Sequence, residues 1–79
     1  MRDTNEIIGI VFSCDGNRLS DDDTPESVLV WDSMTHIILL SSLEEEFDIS
    51  FSDDEMVTIR TIGEIRKKVS EKSAGHLRT

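Results

Sequence analysis

Apolar residues fall along this chain in clusters separated by polar, acid-rich connections. Between Asn5 and Cys14, Ile7, Ile8, Val11 and Phe12 recur at i, i+1, i+4 and i+5, the spacing of one face of a short helix. Gly9 and the β-branched residues weaken the helix, and propensity alone also admits a strand. No second strand-like segment of comparable strength exists to pair with it, and a lone strand does not hold in water, so the segment reads as helix. Asp15 to Val30, DGNRLSDDDTPESVLV, reads as a long connection. Thr24 before Pro25 suits the cap of one helical turn, and Leu19, Val28 and Leu29 are expected to pin the loop onto the core.

On a wheel of about 100° per residue, Met34 to Phe47 places Ile37, Leu40, Leu43 and Phe47 within one arc, the expected buried stripe. Met34, Ile38, Ser41 and Glu45 fall opposite it, so Met34 and Ile38 are expected to be partly exposed beside carboxylates, as a docking surface would be. Beyond this helix, Ile49 and Phe51 alternate inward. Ser52 with Glu55 and Thr61 with Glu64 are two successive capping boxes, which open a very short helix carrying Met56 and Val57 and then a last helix with Ile62, Ile65 and Val69 as its stripe. Arg66, Lys67, Lys68 and Lys72 crowd the C-terminal half of that helix, where cations suit its dipole. Residues 73–79 show no periodicity and read as a disordered tail. The predicted fold is all-α, one domain over residues 1–79: a small four-helix bundle with a long loop between helices 1 and 2 and a very short third helix.

Length and charge narrow what such a bundle does. A chain of 79 residues buries only roughly 60% of the surface its unfolded form exposes, leaving no room for an enclosed active site. Acidic residues outnumber basic ones 17 to 8, a net charge of -9 that repels nucleic acid and anionic lipid and favours basic protein surfaces. It also suits a monomer. The single cysteine, Cys14, excludes an internal disulfide and reads as a small packing residue in a reducing, cytoplasmic setting. The longest apolar run, Ile7 to Phe12, is too short for a membrane span and lacks the flanks of a signal peptide. Asp15, Asn17 and Glu26 match three ligand positions of a calcium-binding EF-hand loop, but Leu19 occupies another ligand position and Ser20 replaces the turn glycine. No metal site is expected.

The order of elements, with a second helix opening at Asp32-Ser33-Met34, resembles the acyl carrier protein family, whose motif there is Asp-Ser-Leu. LEEEFDISFSDDE, Leu43 to Glu55, resembles the family's acidic helix end and loop, and TIGEI, Thr61 to Ile65, the start of its last helix. The likeness is continuous from Trp31 to Val69. Trp31 replaces a glycine-type residue, Met34 replaces leucine, and Ile38 stands where many relatives carry an acidic residue. Trp31-Asp32-Ser33 followed by His36 resembles free-standing carriers of specialised pathways, polyketide or related acyl assembly, more than those of primary fatty acid synthesis. Ile38 speaks against docking to the standard fatty acid enzymes.

The resemblance implies that Ser33 receives a covalent 4'-phosphopantetheine group from a phosphopantetheinyl transferase, that acyl groups ride on it as thioesters, and that the protein itself is not an enzyme. Asp32 then helps the transferase recognise the serine; by its own chemistry it is equally an N-cap. Weak, salt-sensitive docking to acyl-loading and acyl-processing enzymes with basic patches is assigned to Asp32, Met34, Ile38, Ser41, Glu44 and Glu45, with Glu46 and Asp48 adding charge. Trp31 reads as a loop anchor before an acyl contact. His36, one turn beyond Ser33, either approaches the phosphate or is an exposed residue without a role. The rival class is an unmodified helical adaptor using the acidic helix for protein binding. A hydrolase with Ser33 as nucleophile and His36 as base lacks a group to orient the histidine.

Overall fold

Asp3 opens the first helix by accepting a hydrogen bond from the Glu6 N–H at 2.8 Å, while the Glu6 carboxylate reaches back to the Asp3 N–H. This capping box starts α1, Thr4–Phe12, which ends at Ser13 in the left-handed region with φ 55°. The computed structural model describes the backbone of residues 3–77 and the side chains of residues 3–73. Among these residues there are four α-helices, one short 3-10 turn and no strand, the all-α bundle the periodicity predicts. The others are α2, Ser33–Phe47; α3, Asp53–Thr58; and α4, Ile62–Leu77.

One core joins α1, α2 and α4. Ile7, Ile8 and Phe12 meet Leu39, Leu40 and Leu43 of α2 and Ile62, Ile65 and Val69 of α4, with Trp31, Phe51 and Ile59 supplied by the connections. The stripe of α2 is rotated from its predicted phase: Leu39 is fully buried, whereas Ile37 is 56% exposed. His36 and Leu39, rather than Ile37, continue the Leu40, Leu43, Phe47 face one turn back, because the helix tilts its start toward Trp31 and α3. Met34 and Ile38 are exposed as expected. In the first connection Leu19 and Val28 pack on the core, but Leu29 is 93% exposed. Val28 is the half-buried member of that pair, and Trp31, 2% exposed, is the residue of this segment that enters the core. Cys14 is exposed as well, since it follows the reversal of the chain at Ser13 and is carried away from the apolar face.

The connection between α1 and α2 has a single 3-10 turn, Gly16–Arg18, and a hydrogen-bonded turn at Thr24–Val28 in which Val28 N–H donates to the Thr24 carbonyl. The turn opens at Thr24, and Ser27 Oγ reaches back to accept the Thr24 N–H at 2.9 Å. Gly16 lies so close to α1 that a Cβ there would overlap the Asn5 carbonyl, which is why the loop can press flat on the helix. Arg66 of α4 completes the attachment. Its Nε donates to Asn5 Oδ1 at 2.9 Å, Nη1 to Asp21 Oδ1 at 2.6 Å, and Nη2 to the Gly16 and Leu19 carbonyls at 3.1 and 2.8 Å.

The box at Ser52 forms, while at Thr61 the cap half forms and the Glu64 carboxylate reaches back to the Arg60 N–H at 3.1 Å. Ser52 Oγ accepts the Glu55 N–H at 3.1 Å, and Thr61 Oγ1 accepts the Glu64 N–H at 3.1 Å. α3 has no fully buried side chain; Met56 packs half-buried against the core, and polar ties to the bundle add to it. Glu55 supplies one set, accepting the Ser52 N–H at 2.9 Å and pairing with Lys68 at 3.4 Å and Lys72 at 3.0 Å. Lys72 also lies 5.6 Å from the Phe51 ring centroid. Cations placed by sequence at a dipole thus have specific partners. The α4 backbone continues to Leu77, through residues read as an aperiodic tail, because elongation of an existing helix by Glu71, Lys72 and their successors needs no further nucleation. Residues 78–79 lie outside the described residues.

Arg66→Ala is expected to destabilise the fold by about 2 kcal/mol in urea unfolding, since loop carbonyls lose charge-assisted donors. Arg66→Lys should restore less than half, because an ammonium cannot span four acceptors as a planar guanidinium does. The Ser52 amide, followed by Lys72 and Lys68, holds the Glu55 carboxyl down at about 2, against an ordinary 4.5. A depressed folded-state value contributes stability that is present above 4.5 and lost as pH falls toward 2. Glu55→Gln should flatten that part of the acid unfolding curve.

Candidate functional site

The sequence Val-Trp-Asp-Ser-Met-Thr-His builds the mouth of α2 from local hydrogen bonds. Asp32 is its N-cap: Oδ1 accepts the Thr35 N–H at 2.9 Å, and Thr35 Oγ1 accepts the Asp32 N–H at 2.8 Å while donating to the Val30 carbonyl at 2.6 Å. The Thr35 amide, then the Thr35 hydroxyl, lowers the Asp32 carboxyl below the usual carboxylate range. Asp32 therefore stays ionised where the first-turn N–H groups and the positive end of the helix dipole face it.

Ser33 is the first helical residue, and it is exposed. Its hydroxyl has no hydrogen-bond partner among the described residues, so capping is done by Asp32 and leaves Ser33 Oγ available. The site is suited to carry an anion covalently, next to N–H groups that the helix does not use.

Beside Ser33 lies a cleft of about 520 Å³ between α2, α3, the loop before α2 and the loop after α3. Ile37, Met56, Val57 and Ile59 give it apolar walls; Asp32, Asp53 and Arg60 add charge. Trp31, only 2% exposed, closes one side. It packs on Phe12 at 5.7 Å and stacks on His36 at 5.9 Å between ring centroids. Trp31 is thus the loop anchor expected of it and also a wall of the cleft.

His36 is neither exposed nor idle. Its Nδ1 accepts the Trp31 indole N–H at 2.9 Å, and its Nε2 stands 2.6 Å from the Met56 carbonyl. An indole only donates and a carbonyl only accepts, so these two contacts assign the neutral imidazole with its proton on Nε2. The ring faces Trp31 and α3, which leaves Ser33 without the base a hydrolase needs.

Met34, Ile38, Ser41 and Glu45 are all exposed along one side of α2, as the wheel requires. Glu44 is drawn away from them: half-buried, its Oε2 accepts the Phe51 N–H at 2.8 Å and fixes the loop after α2. Sequence reasoning missed Ile37, Met56, Val57 and Arg60 as cleft residues. The i, i+3, i+4, i+7 spacing from His36 through Leu39 and Leu40 to Leu43 was the signal that Ile37 turns outward. No group of three metal-ligating side chains converges among the described residues.

Residues 6–69 match the family described as the phosphopantetheine attachment site, most of the chain. The chain belongs to that family. The prosthetic group of the phosphopantetheine attachment family fits these residues, with an unpartnered exposed hydroxyl at a helix start and an amphiphilic cleft alongside. The acyl carrier protein of Caulobacter vibrioides strain NA1000 / CB15N is 42% identical over 43 residues, 54% of this chain and 55% of that protein. The protein of the same name from C. vibrioides strain ATCC 19089 is similar to the same degree. The chain spans about half the length of the curated relatives it matches. In fold it is similar to the holo acyl carrier protein of Geobacter metallireducens in solution, with a TM-score of 0.83 and 28% identity over 94% of this chain and 85% of that one. These likenesses bear out the resemblance carried by Asp32-Ser33-Met34 and its helical context. Among the described residues no helix is long and apolar enough to cross a membrane.

Nitrogen NMR of the His36 ring is expected to show the Nε2-protonated tautomer. Trp31→Phe should move the Nδ1 resonance and leave Nε2 hydrogen-bonded; a proton found on Nδ1 in the unaltered chain would contradict the assigned relay.

Proposed function

We propose that this chain is a free-standing acyl carrier protein, a single cytoplasmic domain, with Ser33 as the attachment point of 4'-phosphopantetheine. The observation that carries the reading is Ser33 Oγ itself, exposed and unpartnered at the first position of α2 beside a separate N-cap. A phosphopantetheinyl transferase would supply the bond-forming chemistry. The bound group would supply a terminal thiol that holds acyl cargo as a thioester. The chain's own residues supply position. Asp32 fixes the start of the helix and presents a carboxylate beside the serine, the first-turn N–H groups stabilise the phosphodiester charge, and the cleft offers apolar surface next to the attachment point. Cys14, at the far end of α1, is not the carrier thiol.

Partners with basic patches are the reading for the acidic surface, with Glu45 and Asp32 on the docking side, together with Ser41. Met34, 70% exposed, and Ile38, 48% exposed, add an apolar stripe to that side. This supports a specialised pathway, because an apolar Ile38 selects partners by shape where an acidic residue would select by charge. Tethering raises the effective concentration of cargo at each docked enzyme, so individual docking contacts need only be weak.

Coexpression with a broad-specificity transferase is expected to add one phosphopantetheinyl group by intact mass, and Ser33→Ala is expected to abolish it. Absence of the addition, or its survival in Ser33→Ala, would sink the reading. If Ser33→Ala instead leaves partner binding and cellular function intact, the chain acts as an unmodified helical adaptor.

A further inference from the structure

The cleft beside Ser33 ends abruptly. Of the residues that line it, Trp31 and Ile59 belong to the buried core, at 2% and 1% exposure. Leu39, Leu40, Leu43 and Ile62, all fully buried, contribute nothing to its wall. What separates the cleft from them is the chain of contacts from Phe12 to the Trp31 ring, from the indole N–H to His36 Nδ1, and from His36 Nε2–H to the Met56 carbonyl. This relay ties the loop before α2, α2 itself and α3 together across the inner end.

We propose that Trp31 and His36 fix the depth of this cleft, so that it takes a short acyl chain alongside Ser33 and turns longer chains away from the core. The cargo class rests on the carrier reading above. An advancing chain must part His36 from both partners, leaving the indole donor of the buried Trp31 and a half-buried main-chain carbonyl unpaired. Up to the relay, each added methylene gains apolar contact with Ile37, Met56 and Val57; beyond it, each gain is set against that loss. The polar members of the cleft, Asp32, Asp53 and Arg60, do not bond to the His36 ring, so the polar part of the barrier is the relay, with Ile59 completing the wall.

The test needs no transferase, which separates its failure from failure of the carrier reading. In the full chain carrying Ser33→Cys and Cys14→Ser, alkyl groups from ethyl to octyl are attached to residue 33 as mixed disulfides. The thermal midpoint and the indole resonance of Trp31, the only tryptophan, are then followed with chain length. With His36 present, the midpoint is expected to level off after the short chains and the indole N–H resonance to stay in place. With His36→Ala added, the octyl form should melt at least about 4 °C above the butyl form. Trp31→Phe, which keeps an aromatic ring on Phe12 but removes the donor, should also lift the plateau, and it serves where His36→Ala does not fold. Equal dependence on chain length with and without the relay, or displacement of the indole by octyl while His36 is present, would overturn the proposal.

Discussion

The path of the chain from Ser13 to Asp32 depends on one guanidinium. That connection contains a single 3-10 turn and packs only Leu19, Val28 and Trp31 on the core. Part of its conformational entropy is therefore offset by polar contacts that reach it from elsewhere, among them the Ile62 and Gly63 N–H groups donating to the Asp23 and Asp21 carbonyls at 3.0 Å. Arg66 adds to them from α4, engaging Asn5, Gly16, Leu19 and Asp21 with one rigid planar group. An exposed ion pair alone would contribute little, and Asp21 is largely exposed. The weight lies in the main-chain carbonyls under a half-buried arginine, above all that of Leu19, since the Gly16 carbonyl also accepts the Leu19 N–H at 3.3 Å.

A loop held in this way delivers Trp31 to the core, and Trp31 delivers Ser33. Its ring fills the space between Phe12 and His36, so the next residues leave the core at a defined angle and meet the Asp32–Thr35 cap. A buried indole needs an acceptor, and His36 is that acceptor; its second nitrogen then reaches the Met56 carbonyl of a helix that has no fully buried side chain. The polar requirement of one aromatic residue is thereby passed on until it positions α3. Glu55, Lys68 and Lys72 hold the same short helix from its other side.

What was legible in the sequence divides along the range of the interaction. The caps at Asp32, Ser52 and Thr61 could be read because each is a contact between residues three apart. The stripe of α4 was legible because Ile62, Ile65 and Val69 leave no other phase. In α2 apolar residues run Ile37, Ile38, Leu39 and Leu40 without a polar break, so periodicity alone admits two phases, and tertiary contact with Trp31 decides for Leu39. Leu29 and Cys14 were misplaced for a related reason: in irregular backbone no period says which side faces inward. The partners of Arg66 and the relay through His36 join residues that no local rule connects, and they appear only once the chain is folded.

The same rotation of α2 that buries Leu39 changes the character of the surface around Ser33. Ile37 turns outward and joins Leu29, Val30, Met34, Ile38 and Val57 as large apolar side chains left in solvent. Meanwhile Glu44, which by position belongs with the acidic end of the helix, commits its carboxylate to the Phe51 amide. Charge acts over distance and is screened within about 8 Å at physiological salt, so it governs approach and orientation. Apolar contacts act only after water has been expelled, and so govern how long a partner stays. With the Glu44 carboxylate engaged in the fold and Met34 and Ile38 exposed, this face sets apolar side chains, which act only in contact, on a molecule whose net charge of -9 acts at a distance.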